Sequence, residues 1–146
     1  MRFKESIVIN RPIDEVFTQW ADVEKYAEWA APVVERRKLT TGPIGPGTGF
    51  HAVDQWPGRK AEFEMEITEF EENRRLGARW FKPMEGRWSS QLTEKSAGTQ
   101  LDFEIEMQLP LMMRLFSPFL KRWVKKQNRA FMESFKARVE GSRGNK

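Results

Sequence analysis

The sequence predicts a single α+β domain in which a curved antiparallel sheet of seven strands wraps around one long C-terminal helix. Short segments of alternating apolar and polar residues recur between turn residues, which is typical of hairpin-linked strands with one buried face. Two short helical patterns follow the first strand. Residues 119–140 contain neither proline nor glycine and carry apolar residues at helical spacing, so one long helix ends the chain.

The first elements have recognisable boundaries. Residues 2–10 alternate and predict the first strand. Pro12 precedes two acidic residues, which is typical of a helix start, because proline suits the first helical position and carboxylates favour the N-terminal end. Asp22 is predicted to cap a second short helix over residues 23–30, and this helix ends before Pro32.

Six further strands are predicted from alternation and from the Gly, Pro and Asn residues between them. The clearest alternation places three glutamates opposite Ala, Phe, Met and Ile. The predicted strands are residues 33–40, 50–56, 60–70, 75–81, 87–94 and 100–108. The connection over residues 41–49 contains four glycines, and we expect it to be either a mobile lid at a cavity mouth or a connection that requires positive φ angles.

The long helix is predicted from Ser117 to about Glu140, a length of about 35 Å. The segment from Ser117 to the C-terminus carries a net charge of +7, and the rest of the chain carries −3. This basic face is predicted either to be solvated or to make weak contact with an anionic membrane or an acidic protein, helped by the apolar residues just before the helix. Its basic residues are Lys121, Arg122, Lys125, Lys126 and Arg129, and the apolar residues are Leu111, Met112, Met113, Leu115, Phe116 and Phe119.

Composition excludes several kinds of chemistry. The chain has no cysteine, so it has no disulfide, thiol nucleophile or thiolate metal site. We expect no metal, because the single histidine has no carboxylates at ligand spacing, and no cofactor, because the glycine-rich loop matches neither phosphate-binding motif. No nucleic acid is expected, since basic and aromatic residues do not alternate. Without an apolar run or a signal-like N-terminus, we expect a cytoplasmic protein with one domain over residues 1–140 and a frayed tail over 141–146.

Several short motifs occur in a characteristic order. They are Arg11-Pro12-Ile13-Asp14-Glu15-Val16-Phe17, Trp20-x-Asp22-x-Glu24-x-Tyr26-x-x-Trp29, Gly45-x-Gly47-Thr48, Glu66-Ile67-Thr68-Glu69-Phe70 followed by Asn73-Arg74-Arg75-Leu76, and Gly98-Thr99-x-Leu101. In this order, with the long C-terminal helix, the chain resembles the START-like or helix-grip superfamily (the SRPBCC group), including families labelled polyketide cyclase/dehydrase.

The resemblance covers residues 1–140 and implies the helix-grip fold, with a ligand cavity between the sheet and the C-terminal helix. The superfamily includes ligand carriers, aromatase/cyclases, quinone-binding proteins and co-activators of a heat-shock ATPase. Its motifs are turns and helix starts, so the resemblance implies an architecture and does not transfer catalytic residues.

Aromatic residues are the most informative candidates for a binding site. The chain has eleven Phe, six Trp and one Tyr, and rigid rings with adaptable methionines suit a flat or lipid-like ligand. The same residues are also what an ordinary core needs. The predicted cavity residues are Tyr26, Trp29, Phe50, Trp56, Phe63, Met65, Trp80, Trp88, Phe103, Met107, Trp123 and Phe131.

Four polar residues are candidate acid–base groups: His51, Asp54, Tyr26 and Ser90. The strand over residues 50–56 can present either His51 or Asp54 to the cavity, so its register decides which of them a ligand meets. The glutamates at alternating positions, in contrast, are predicted to form a solvated sheet surface paired with Arg79 or Arg87.

The sequence therefore predicts a module that binds a small hydrophobic molecule of aromatic, polyketide-like, isoprenoid or lipid-like character. An enzyme of the polyketide cyclase/dehydrase type is the alternative, in which the cavity folds a poly-keto chain and polar groups assist enolisation and loss of water. A further alternative is peripheral association with a membrane or protein through the basic helix.

Overall fold

Seven antiparallel strands form one curved, open sheet in the order β1-β7-β6-β5-β4-β3-β2. The computed structural model describes residues 1–82 and 84–141, with the backbone alone for residues 113 and 116. Residue 83, between the strands predicted over 75–81 and 87–94, and most of the predicted tail therefore lie outside the described residues. The strands are β1 (Arg2–Ile9), β2 (Val33–Lys38), β3 (Gly49–Trp56), β4 (Arg59–Glu71), β5 (Arg75–Trp80), β6 (Gly86–Lys95) and β7 (Gly98–Met107).

Each of the six strands from β2 to β7 pairs with the next one along the chain, as the hairpin-linked pattern predicts. Strand β1 pairs with β7 at one edge of the open sheet. Their observed boundaries differ from the predicted ones by one or two residues at most ends. The β6–β7 turn requires glycine, because Gly98 has φ 132° and a Cβ there would clash with the carbonyl oxygen of Ile9. The predicted α+β helix-grip fold is confirmed.

Two α-helices and two 3₁₀ helices complete the chain. They are α1 (Ile13–Trp20), a first 3₁₀ helix (Val23–Glu28), a second 3₁₀ helix (Leu111–Phe116) and α2 (Ser117–Gly141). The predicted helix at 23–30 is thus shorter and more tightly wound, and Asp22 makes no side-chain capping bond. Short helical segments favour this tighter geometry, and the chain must turn into β2 by Val33.

Pro12 lies one position outside α1, not at its first position as predicted. Its extended backbone (φ −62°, ψ 153°) makes it the N-terminal flanking residue, and its carbonyl accepts the amide of Val16 at 3.1 Å.

Helix α2 packs its apolar side against the sheet, and Trp20 of α1 is enclosed between the two layers with no exposed surface. The ring of Trp20 contacts the rings of Trp88 and Phe103 on the sheet and of Phe131 and Phe135 on α2, with centroids 4.9–6.0 Å apart. These ring contacts join helix, sheet and N-terminal segment into one core.

A short chain of buried hydrogen bonds runs through this aromatic core. The Tyr26 hydroxyl donates to the Trp20 carbonyl, and the Trp20 indole donates to the Ser90 hydroxyl at 2.7 Å. Ser90 in turn donates to the carbonyl of Leu76 at 2.6 Å. The first 3₁₀ helix, α1, β6 and β5 are therefore connected by polar groups that satisfy one another.

The glycine-rich loop over residues 41–49 is hydrogen-bonded to the sheet. Gly42 and Gly47 have φ angles of 88° and 93°. The amide of Gly47 donates to the carbonyl of Ile67, and the amide of Ile67 donates to the carbonyl of Thr48, both at 2.8 Å. No residue of this loop is among those lining the cavity described below, which favours a connection that needs positive φ angles over a lid.

Substituting Ser90→Ala should lower the free energy of unfolding by about 1–3 kcal/mol, because the buried indole N–H of Trp20 loses its acceptor. Urea denaturation followed by tryptophan fluorescence measures this change. Ser89→Ala is the matched control, since Ser89 on the same strand bonds to Glu69 at the exposed surface. Equal effects of the two substitutions would contradict the role assigned to Ser90.

Glu140 should make the fold sensitive to acid. Its carboxylate accepts the Asn10 amide at 2.9 Å and pairs with Lys136, and these contacts lower the pKa of Glu140 below its ordinary value of 4.5. Its stabilisation is therefore complete above about pH 4.5 and is lost as the pH falls through the lowered pKa. Denaturation midpoints measured from pH 7 to pH 3 should fall less steeply for Glu140→Gln than for the exposed control Glu72→Gln.

Candidate functional site

A mostly apolar cavity of about 140 Å³ lies between the sheet and α2. Aromatic rings and methionines form most of its lining, seven of them from five strands and one, Trp20, from α1. Helix α2 contributes Gln127, Asn128 and Phe131, and the first 3₁₀ helix contributes Tyr26. Because Pro32, Trp56 and Gln127 are only partly buried, this part of the lining reaches the protein surface.

Nine of the twelve predicted cavity residues line this space. They are Tyr26, Trp56, Phe63, Met65, Trp80, Trp88, Phe103, Met107 and Phe131. The strand register explains the grouping, since Met65 on β4 pairs with Trp80 on β5, and side chains at alternating positions share one face of the sheet.

The other three predicted cavity residues lie outside the lining. Phe50 is buried in the core, with 1% of its surface exposed. Trp29 packs against Phe131 and Phe135, with centroids 4.9 and 5.1 Å away, and so fills core space behind the cavity. Trp123 contacts Trp56 at 5.8 Å without itself lining the cavity.

The main polar feature of the cavity is an ion pair between Arg36 of β2 and Asp54 of β3. The Arg36 guanidinium donates to the Asp54 carboxylate at 2.7 Å, and the two side chains are only 9% and 20% exposed. The guanidinium also lies over the ring of Phe63, with 5.6 Å to the centroid. A buried acid needs such a partner, and β2 supplies one.

The register of β3 places Asp54 on the cavity face and His51 on the other face. Nε2 of His51 lies 3.5 Å from the carboxylate of Glu62, outside the cavity. On that outer face the alternating glutamates pair as expected, Glu66 with Arg79 at 3.2 Å and Glu106 with Arg87 at 2.9 Å. A ligand in the cavity therefore meets Asp54 and not His51.

The remaining two acid–base candidates, Tyr26 and Ser90, use their hydroxyls in hydrogen bonds within the core. Tyr26 contributes its side chain to the cavity, but its hydroxyl is bonded to the Trp20 carbonyl, and burial raises the pKa of this hydroxyl far above its ordinary value. Ser90 does not line the cavity and uses its hydroxyl both as donor and as acceptor. Asp54 is therefore the one candidate whose charged group lies in the cavity.

Sequence reasoning missed three cavity residues with polar side chains, Arg36, Gln127 and Asn128. Among the described residues, the buried amide nitrogen of Asn128 has no hydrogen-bond partner. An unpaired buried donor lowers the stability of the protein, so this N–H is available to donate a hydrogen bond to an acceptor on a ligand. The sequence gives no signal for this role, because a polar residue at this helical position is equally typical of a solvated face.

The described residues contain no group of three or more His, Asp or Glu side chains arranged to hold a metal ion. In residues 1–82 and 84–141, no helix combines the length and the apolar character needed to cross a bilayer.

An open antiparallel sheet gripping a C-terminal helix, with an apolar cavity between them, defines a helix-grip protein. The model of the family described as "Polyketide cyclase / dehydrase and lipid transport" matches residues 1–140, and the chain belongs to this family. No curated protein matches the chain in sequence.

Solved structures with the same fold come from proteins of low sequence identity. TTHA0849 from Thermus thermophilus has a TM-score of 0.84 at 14% identity, over 98% of this chain and 99% of that one. The Zhui aromatase/cyclase from Streptomyces sp. R1128 has a TM-score of 0.76 at 15% identity, over 97% and 94%. The di-domain ARO/CYC StfQ from the steffimycin biosynthetic pathway has a TM-score of 0.79 at 12% identity, over 98% of this chain and 51% of that one. At these identities the likeness shows the fold.

A double-mutant cycle of Arg36→Met and Asp54→Asn should give a coupling energy of about 2 kcal/mol, between the values typical of exposed and of fully buried pairs. The free energy of unfolding in urea gives each corner of the cycle. The exposed pair Arg79–Glu66 is the control and should couple by less than about 1 kcal/mol. Equal coupling in the two cycles would show that the cavity pair is as solvated as the surface pair.

Proposed function

We propose that this protein binds a small hydrophobic molecule by enclosing an aromatic or similarly flat apolar group between the sheet and α2. The observation that carries the proposal is the ring-lined cavity with its few polar groups at one side. Apolar burial, at about 25 cal/mol per Å², supplies most of the binding free energy. Asn128 and the Arg36–Asp54 pair orient the bound group.

The cavity volume limits what is enclosed. A space of about 140 Å³ is similar to the roughly 150 Å³ apolar cavity that holds benzene, and is smaller than the roughly 300–1,000 Å³ typical of sites for drug-sized molecules. One ring or a short branched apolar group lies fully within it, and the second ring of a flat two-ring molecule reaches the partly exposed lining residues. A larger polyketide, isoprenoid or lipid would extend past the partly exposed residues Pro32, Trp56 and Gln127.

Ring-sized probes test the proposal. Naphthalene and 2-naphthol should quench or shift the fluorescence of the four tryptophans that line the cavity, Trp20, Trp56, Trp80 and Trp88, in a saturable way. Native mass spectrometry of the freshly purified protein complements this titration, because a ligand retained from the cell adds a mass that is lost on denaturation. A protein that purifies without added mass and gives no saturable response to either probe would contradict the proposal.

Filling the cavity should abolish this binding. Ile105 lines the cavity and is half-buried, so Ile105→Trp places an indole in the space with limited disturbance of the core. Ile7 on the neighbouring strand is also half-buried but is not among the lining residues, and Ile7→Trp is therefore the matched control. We expect at least a tenfold loss of naphthalene affinity for Ile105→Trp and wild-type affinity for Ile7→Trp, with thermal unfolding measured for both variants. Equal loss in both would place binding elsewhere.

The unpaired amide of Asn128 gives a second, finer test. Asn128→Leu should weaken the binding of 2-naphthol about two- to tenfold, the usual worth of one hydrogen bond, and should leave naphthalene binding unchanged. A parallel loss for both probes would show that Asn128 acts through packing alone.

An enzyme of the cyclase/dehydrase type is the second candidate, and the position of Asp54 beside Arg36 favours it. In this reaction the Asp54 carboxylate takes a proton from a methylene between two ketones, and the Arg36 guanidinium stabilises the enolate oxygen. The enolate carbon then bonds to a distant ketone carbon, and the proton held by Asp54 passes to the resulting alkoxide to give an alcohol. Asp54 next removes the second proton of the same methylene while hydroxide leaves, and that proton and the hydroxide combine as water. Asp54→Asn separates the two functions, since it should abolish turnover of a poly-β-ketone thioester and leave binding of naphthalene intact.

A further inference from the structure

The chain between β7 and α2 exposes four large apolar side chains. Leu111, Met112, Leu115 and Phe119, here called the apolar tip, are 77%, 83%, 83% and 66% exposed. Met113 and Phe116 belong to the same predicted segment, but their side chains lie outside the described ones. Single exposed apolar residues are ordinary, whereas four within residues 111–119 form a patch of the kind found at interaction sites.

The chain is anchored in the core on both sides of the tip. Leu109 before it and Leu120 after it are both buried, with 8% and 7% exposure. Ser117 at the junction of the two helices has helical angles (φ −58°, ψ −38°), so Leu111, Leu115 and Phe119 recur every four residues along a continuous helical path. The outward projection of the tip is therefore built into the fold.

Positive charge surrounds the tip. Residues 107–132 contain no Asp or Glu, while Arg114, Lys121, Arg122, Lys125 and Lys126 lie within this stretch. All five are exposed, and none forms an ion pair with a carboxylate among the described residues. Phe119, Arg122 and Lys126 share one side of α2 by their spacing of three and seven residues.

Arg129 is the exception in the predicted basic face. It bonds to Glu133 at 3.2 Å and to Glu5 of β1 at 3.5 Å, so its charge is compensated within the protein. The uncompensated charge is thus confined to the N-terminal half of α2, directly beside the apolar tip.

We propose that the apolar tip and the five surrounding cations dock this protein on the surface of an anionic lipid bilayer. The apolar side chains enter the region between headgroups and acyl chains, and the cations contact lipid phosphates. Charge complementarity selects this occupant over a second copy of the chain, because two such surfaces face to face would bring like charges together.

Vesicle flotation tests the proposal. The wild-type protein should float with vesicles of phosphatidylcholine containing about one third phosphatidylglycerol at about 0.02 M salt, and should be released at about 0.5 M salt. It should float poorly with phosphatidylcholine alone. Failure to float with the anionic vesicles at low salt would overturn the proposal, and so would binding that is equal for the two lipid compositions.

Paired variants separate the apolar and ionic contributions. Arg122→Gln with Lys126→Gln should lower the partition coefficient about 30-fold, and Met112→Ser with Leu115→Ser should lower it at least about tenfold. The controls carry two cationic or two apolar substitutions at the opposite end of the sheet: Arg74→Gln with Lys95→Gln, and Val8→Ser with Leu39→Ser. Losses in the controls equal to those in the tip variants would overturn the proposal.

Two further measurements distinguish docking on lipid from binding through the cavity and from self-association. The cavity-filling variant Ile105→Trp should float like the wild type, because docking does not depend on the cavity. Sedimentation velocity identifies self-association, and a dimer that Leu115→Ser converts to a monomer would assign the tip to a second copy and overturn docking on lipid.

Discussion

The enclosed indole of Trp20 joins the sheet, helix α2 and the N-terminal segment in one aromatic core. Its ring contacts the sheet through Trp88 and Phe103 and helix α2 through Phe131 and Phe135, and its N–H is bonded to Ser90 on β6. The orientation of an indole inside a core is fixed by that single donor, because burial without a partner would be costly. Together with the buried apolar residues of α2, this residue sets the position of α2 over the sheet and hence the space left between them.

The same aromatic density explains why the cavity is small. Trp20 and the rings of Trp88 and Phe103 that pack edge to face against it line one part of the cavity, and β2 and β3 place the Arg36–Asp54 pair at another part of the lining. Collapse of the layers there would leave the charges of Arg36 and Asp54 without room for their solvation or their mutual bond. The ion pair and the cavity therefore support each other.

Alternation along the strands was enough to predict the sheet and most of the cavity lining, because period-two patterns determine which face each side chain takes. Helical spacing without proline or glycine was enough to predict the long helix. It failed at β3, where one face carries His51 and the other Asp54, and the pattern alone gives no preference. The pairing of Asp54 with Arg36 depends on the bulge between Val33 and Glu35, a tertiary feature that local sequence does not encode. Trp29 and Phe50 were assigned to the cavity for a similar reason, since an aromatic residue that fills a core and one that lines a cavity have the same local pattern.

The ion pairs of α2 are a second feature that the local sequence predicts only in part. The sequence shows Glu133 one helical turn after Arg129 and no acidic residue at that spacing after Arg122, but it does not show that the fold also brings Glu5, far away in the chain, within 3.5 Å of Arg129. The remaining free cations then coincide with the segment that also exposes its apolar side chains. Trp56 at the end of β3, Trp80 at the end of β5 and Met107 at the end of β7 all line the cavity, and the apolar tip follows directly after β7. The hydrophobic ligand proposed for the cavity and the lipid surface proposed for the apolar tip would thus both lie at the same end of the sheet.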